Sequence, residues 1–140
     1  MARIMAIDFG TKRIGIAVTD PLKIIASGLT TVCSKDVITF LEEYFRKENV
    51  ECIVVGDPNS NRRESIISKL ADDFCNTLKK KFPSMKIDRM DEYSTSKIAH
   101  STMLQIGIKK MARRNKELVD KISATIILQS YLEFINPKKM

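Results

Sequence analysis

The chain has 140 residues, of which 44% are hydrophobic and 29% charged, the size and balance of one globular domain that buries about two-thirds of its unfolded surface. Five glycines and four prolines exclude a low-complexity or collagen-like chain. Three scattered cysteines, Cys33, Cys52 and Cys75, and a single histidine, His100, argue against a disulfide framework or a thiolate zinc site and rule out two-histidine metal motifs. No apolar run is long enough to cross a membrane, and the net charge of +7 favours polyanionic partners. The expectation is a single cytoplasmic domain over residues 1–140.

Arg3 to Ile7 and Arg13 to Val18 are short, apolar and β-branched, and Gly10-Thr11-Lys12 between them predicts a hairpin. Ala26 to Cys33 reads as a third strand. Ser34 is placed to cap a helix whose stripe is Val37, Phe40, Leu41, Tyr44 and Phe45. Glu51 to Gly56 is a continuously apolar strand of the kind buried on both faces of a parallel sheet. A loop to Arg63 follows, with Asn61 and Glu64 as a capping-box variant. The next helix puts Ile66, Ile67, Leu70, Ala71, Phe74, Leu78 and Phe82 on one face and ends at Pro83. Lys86 to Met90 is a short strand. A helix capped by Ser94 or Thr95 runs to Gly107, the basic stretch Ile108 to Lys116 follows, and a last helix spans Leu118 to Ile135. That helix is apolar around much of its circumference from Ile122 onward, so it must be largely covered. The pattern predicts an α/β fold: a mixed five-stranded sheet, antiparallel hairpin plus parallel strands, flanked by helices.

The acids fall at the ends of strands. Asp8 ends the first, Asp57 follows the fourth, and Asp91-Glu92 follow the fifth. Parallel strands bring such ends to one edge, where ligands bind in open α/β sheets. Asp120 lies early in the last helix, beside its apolar face. Carboxylates converging without histidine or cysteine suit hard divalent cations, Mg²⁺ or Mn²⁺. A pair of such ions about 4 Å apart activates water for phosphodiester cleavage. The competing reading makes these acids turn caps and helix-dipole partners, and spacing alone divides the two evenly. Asp57 is read as a loop cap ahead of a fourth ligand.

AIDFGTKRIGIAVTD at 6–20, VVGDPNS at 54–60, DEYST at 91–95 and VDKISATIILQSYLE at 119–133 together resemble the YqgF/RuvX family, RNase H-like proteins described as Holliday junction resolvases and pre-16S rRNA processing nucleases. The resemblance covers essentially the whole chain. It implies a ribonuclease H-like fold, a divalent metal, and a catalytic, metal-binding set of Asp8, one acid of the Asp91-Glu92 pair (Glu92 preferred) and Asp120. The chain departs from the family pattern at Asp57, at Ser60-Asn61-Arg62-Arg63, at Tyr93 and at Ser123. DFGT also resembles the phosphate loop of actin/Hsp70-type ATPases, which close two such domains over a nucleotide where this length supplies one.

Lys109, Lys110, Arg113, Arg114 and Lys116, before the last helix, are candidates for docking a nucleic-acid backbone, as are Lys12, Arg62 and Arg63 on the same rim. Lys79-Lys80-Lys81 closes a helix, where cations complement the dipole, and is read as structural. With three Tyr, six Phe and no Trp, recognition led by base stacking is not expected. By resemblance the substrate is the 5′ end of pre-16S rRNA. The alternatives are a four-way DNA junction, which needs a homodimer presenting two sites rather than a monomer, and a non-catalytic RNA-binding assembly factor.

Overall fold

The computed structural model describes residues 2–57, 66–91 and 116–135. Its strands are β1 (Arg3–Asp8), β2 (Arg13–Thr19), β3 (Ala26–Cys33), β4 (Val50–Asp57) and β5 (Lys86–Asp91); its helices are α1 (Val37–Lys47), α2 (Ile66–Lys81) and α3 (Lys116–Ile135). They form one sheet in the order β3-β2-β1-β4-β5. The hairpin pairs β1 with β2 and β2 with β3 antiparallel, while β1, β4 and β5 run parallel. This is the expected mixed sheet. Four strands end one residue later than their composition indicates, which takes Asp8, Thr19, Asp57 and Asp91 into the ladders.

The two faces are built differently. On one, Met5, Ile7, Ile14, Ile16, Ile53 and Val55 meet Val37 and Leu41 of α1 and Phe74, Cys75 and Leu78 of α2. On the other, Ile4, Ala6, Ala17, Cys52, Val54 and Met90 meet Ala124, Ile127, Leu128 and Tyr131 of α3. Successive residues of a strand point to opposite faces, so register decides whether neighbouring strands agree. A register shift between Arg3 and Ile4 sets Ile4 opposite Cys52 rather than Glu51, and the apolar sets of β1 and β4 then coincide.

Three local expectations are corrected. Ser34 does not cap α1: a single 3-10 turn over Ser34–Asp36 intervenes, and no side chain caps either element. Leu70 is 38% exposed although it falls on the apolar stripe of α2. The last helix starts at Lys116 and is covered through Leu132, while Phe134 is 68% exposed. The readings of Asn61 with Glu64 and of a helix from Ser94 or Thr95 to Gly107 lie outside the described residues.

α3 sits close because the sheet beneath it is lined with small residues. Ala6 and Ala17 touch it directly, and a Cβ built on Gly28 of β3 would lie 2.7 Å from Cγ of Lys121 and 3.2 Å from Oγ1 of Thr125. Cγ lies close to the backbone, so either Lys121 must change its χ1 rotamer or the helix must shift. Further down, the Tyr131 hydroxyl donates to Oδ2 of Asp88 at 2.8 Å, tying α3 to β5. Burial and that carboxylate hold the Tyr131 phenol protonated far above its ordinary range. Gly28→Ala is expected to destabilise the fold by about 1–3 kcal/mol, the usual cost of overpacking. Lys121→Ala, which removes the clashing Cγ, should recover part of that loss. Urea denaturation of the two single variants and the double variant checks this; strictly additive losses would show that the contact is not the cause.

Candidate active site

The hairpin turn after β1 carries the first acid of the predicted carboxylate rim. Asp8, half-buried, pairs with Gly15 across the antiparallel ladder. Gly10 follows, and a Cβ there would fall 2.3 Å from the Arg13 carbonyl oxygen, closer than any side chain tolerates. Glycine is therefore required for the chain to turn back on itself this tightly. The Phe9 ring packs on Phe74 of α2 with centroids 5.2 Å apart. On the other side Ser34 clasps the turn: its Oγ donates to the Thr11 carbonyl at 2.7 Å and its N–H donates to the Lys12 carbonyl at 3.0 Å. Asp8 and the exposed Lys12 thus project from a turn anchored to both neighbouring layers. Neither anchor is legible locally. Ser34 looks like a helix cap, and only the aromatic Phe9 inside a polar turn hints at a docked residue.

The other candidates are placed through the backbone. Ile7 stands opposite Val55, Gly56 opposite Met90 and Asp57 opposite Asp91. Asp8 and Asp91 therefore end strands separated by β4, about 10 Å apart across two strand spacings. The strands also divide the acids by parity. Position 8 continues the set of Ile4 and Ala6, which face α3, whereas position 57 continues that of Ile53 and Val55, which face α1 and α2. In β5, Asp88 and Met90 contact Tyr131 and its cluster on the α3 side, so position 91 belongs to the opposite set. Asp120 and Lys116 lie within the first five residues of α3. Glu92, Arg62, Arg63, Lys109, Lys110, Arg113 and Arg114 lie outside the described residues. Among the described side chains, which do not include those of Asp57, Asp91 and Asp120, no three His, Cys, Asp or Glu gather into a metal-binding group.

Cysteine chemistry has no support here. Burial pushes the Cys52 and Cys75 thiols above their ordinary range, which suppresses the thiolate. No helix among the described residues is long and apolar enough to cross a membrane.

The family profile of RuvX, described as Holliday junction resolvase, matches residues 2–134. A protein of Flavobacterium psychrophilum named "Putative pre-16S rRNA nuclease" is 52% identical over 133 residues, spanning 94% of this chain and 97% of that one. Proteins of the same name from Christiangramia forsetii and Bacteroides fragilis are 53% and 52% identical, spanning 94% and 95% of this chain and 98% and 97% of their own.

The clasp on the turn can be tested directly. Ser34→Ala removes one exposed hydrogen bond and should cost about 0.5–1 kcal/mol in chemical denaturation. It should also speed amide exchange over residues 10–13, and Ser34→Thr, which keeps the hydroxyl, should not. Equal protection of that turn in Ser34→Ala and the parent would show that the Oγ bond does not anchor it.

Proposed function

The chain belongs to the RuvX family of Holliday junction resolvase proteins, and we propose that it is a divalent-metal-dependent nuclease that hydrolyses phosphodiester bonds in structured RNA, processing the 5′ end of pre-16S rRNA. The names of its relatives support the substrate. The observation that supports the chemistry is the order of the acids: the parallel strands β1 and β5 end in Asp8 and Asp91 on one edge of the sheet, and α3, which packs through Ala124 on the face to which Asp8 belongs, carries Asp120 within its first five residues.

The catalytic and metal-binding set in this reading is Asp8, Glu92 and Asp120. Strand parity supports Glu92 over Asp91, because position 91 falls in the set that faces α1 and α2 while Asp8 falls in the set that faces α3. Parity likewise favours a loop-capping role for Asp57 over that of a ligand. A donor set of carboxylates, without histidine or thiolate, fits Mg²⁺ or Mn²⁺. When bound, such ions lower the pKa of water and stabilise the leaving oxygen. The chain's own work is to fix the carboxylates before substrate arrives: Gly10, Phe9 and Ser34 hold the turn that carries Asp8, and α3 holds Asp120. Lys12 stands exposed beside Asp8, suited to the phosphate flanking the scissile bond. Arg62, Arg63, Lys109, Lys110, Arg113, Arg114 and Lys116 extend the backbone contact in this reading, giving affinity led by charge and shape.

We assign the activity to the cytoplasm and to one domain over residues 1–140. A monomer suffices for RNA ends; the four-way DNA junction in the family's description would require a homodimer with two sites.

Asp8→Asn should abolish cleavage of precursor rRNA while leaving RNA affinity within a few-fold. Mg²⁺ or Mn²⁺ should raise the melting temperature of the parent by mass action and that of Asp8→Asn much less. Cleavage assays with Mg²⁺, Mn²⁺ or EDTA, run beside thermal melts, test both. Equal turnover by the two proteins, or equal metal shifts, would refute the assignment.

A further inference from the structure

At the end of the sheet away from Asp8, three apolar side chains stand in solvent on a loop that holds its shape. Leu22, Ile24 and Ile25 of the β2–β3 connection are 59%, 58% and 63% exposed. The Asp20 carboxylate accepts their N–H groups at 3.0, 2.8 and 2.7 Å. Lys23, among them, adopts a left-handed backbone with φ 62°, uncommon for a residue that carries a side chain. The loop is therefore fixed with its apolar residues outward. It forms one wall of an open groove of about 440 Å³. Lys23, Ile24 and Ile25 line that wall, Leu132 and Glu133 of α3 line the other, and Ala26 at the start of β3 completes it. β3 continues this surface as the outermost strand on its side of the sheet. Ala26–Cys33 contains neither a charged residue nor a proline, the usual guards of an open edge.

Single apolar residues on a surface need no explanation, but a contiguous group beside a groove and an unguarded edge marks a contact with another protein. Nucleic acid does not fit it. The chain carries a net charge of +7, yet around the groove Asp20, Glu51 and Glu133 outnumber Lys23. Two features point to a second copy of this chain. The first is charge: the walls bear opposite signs, Lys23 on the loop, paired with Glu51 at 3.1 Å, and Glu133 on the helix. In a two-fold contact every residue pair occurs twice. Laying the loop of each copy on the helix wall of the other sets Lys23 against the partner's Glu133 at two places, while Ile24 and Ile25 enter the opposing groove. The second is size. The three exposed side chains supply a few hundred Å² of apolar surface on each copy, short of the roughly 800 Å² per partner of a standard interface and suited to a transient one.

We propose that this groove and loop join two copies of the chain in a reversible two-fold dimer. The surface lies where β2 ends, whereas Asp8 ends β1 and pairs near the start of β2. The contact therefore covers neither copy's Asp8, and each keeps its own access to substrate. The dimer does not rest on the nuclease reading. Its use does: two copies joined on one long RNA hold it at two places, which raises avidity without any new contact to the RNA.

The test is sedimentation equilibrium of the full chain, without nucleic acid or metal, across a range of protein concentrations. The parent should pass from monomer to dimer with a Kd on the order of 10 µM. Ile24→Glu/Ile25→Glu should stay monomeric, and Ile24→Ser/Ile25→Ser, which adds no charge, should weaken the dimer about tenfold or more. Both side chains are already exposed, so the melting temperature of the monomer should hardly change. Glu133→Lys should weaken association about tenfold, and Lys23→Glu/Glu133→Lys should recover most of that loss, because the opposed charges are exchanged together. A parent that remains monomeric up to about 1 mM, or an Ile24→Glu/Ile25→Glu variant that dimerises like the parent, would overturn the proposal. No recovery in the double charge exchange would overturn the placing of loop on helix. A monomeric parent that binds lipid vesicles through Ile24 and Ile25 would overturn it in favour of a membrane surface. Failure of the parent to cleave any RNA would refute the nuclease reading and leave the dimer standing.

Discussion

The close seating of α3 on the sheet is the constraint on which the remaining structure depends. A helix normally stands off a sheet by the length of two interdigitating side chains. Here the strands beneath it offer Ala6, Ala17 and Gly28, and most of the large residues of β1 and β2, Ile4 apart, are turned to the other face, where Met5, Ile7, Ile14 and Ile16 are covered by two helices. Among the described residues, one helix covers what two cover opposite. α3 carries Asp120 within its first five residues, so in the proposed site the same packing sets how near that acid comes to Asp8. A larger residue at any of the small positions would lift the helix from the edge that carries the acids.

Sequence pattern reveals this arrangement in part. The strands are legible because continuous apolar runs between turn residues have few other uses, and the acids at their ends are legible because parallel strands finish on one side. Which face each acid continues is not legible. Parity depends on register, and register here turns on a one-residue shift beside Ile4 that no composition signals. Ser34 fails for a related reason. A serine before a helix satisfies the local rule for a cap, and a tertiary hydrogen bond to a turn 23 residues away takes its hydroxyl instead. Leu70 and Phe134 fail because periodicity names the apolar stripe of a helix, while the neighbouring layer decides how much of that stripe is covered.

The far end of the molecule is held by polar contacts of a different kind. Thr19, fully buried, accepts the Ile4 N–H through Oγ1 and donates to the Asp20 carbonyl. The Asp20 carboxylate then accepts the N–H groups of Ile25, Ile24 and Leu22, which hold it below its ordinary range. One acid thus organises the whole β2–β3 connection. This explains how Leu22, Ile24 and Ile25 remain exposed on an ordered loop: the backbone is fixed through its amides rather than by burial of its side chains.

Helix direction links the two ends electrostatically. α1 starts beside the Thr11 turn and α2 follows the end of β4, so both N-termini point toward the carboxylate end. Each N-terminus contributes a partial positive charge worth about 0.3–1 kcal/mol to a nearby anion at an exposed site. Two carboxylates about 4 Å apart repel by about 1 kcal/mol in bulk water and more at a partly buried rim. In the proposed site the dipoles would therefore offset only part of the cost of gathering three acids, and the remainder would favour a bound cation. At the opposite end the helices present their negative poles, which is where Arg46, Lys47, Lys80 and Lys81 stand. Chain direction alone thus lets one end of the sheet tolerate anions and the other concentrate cations.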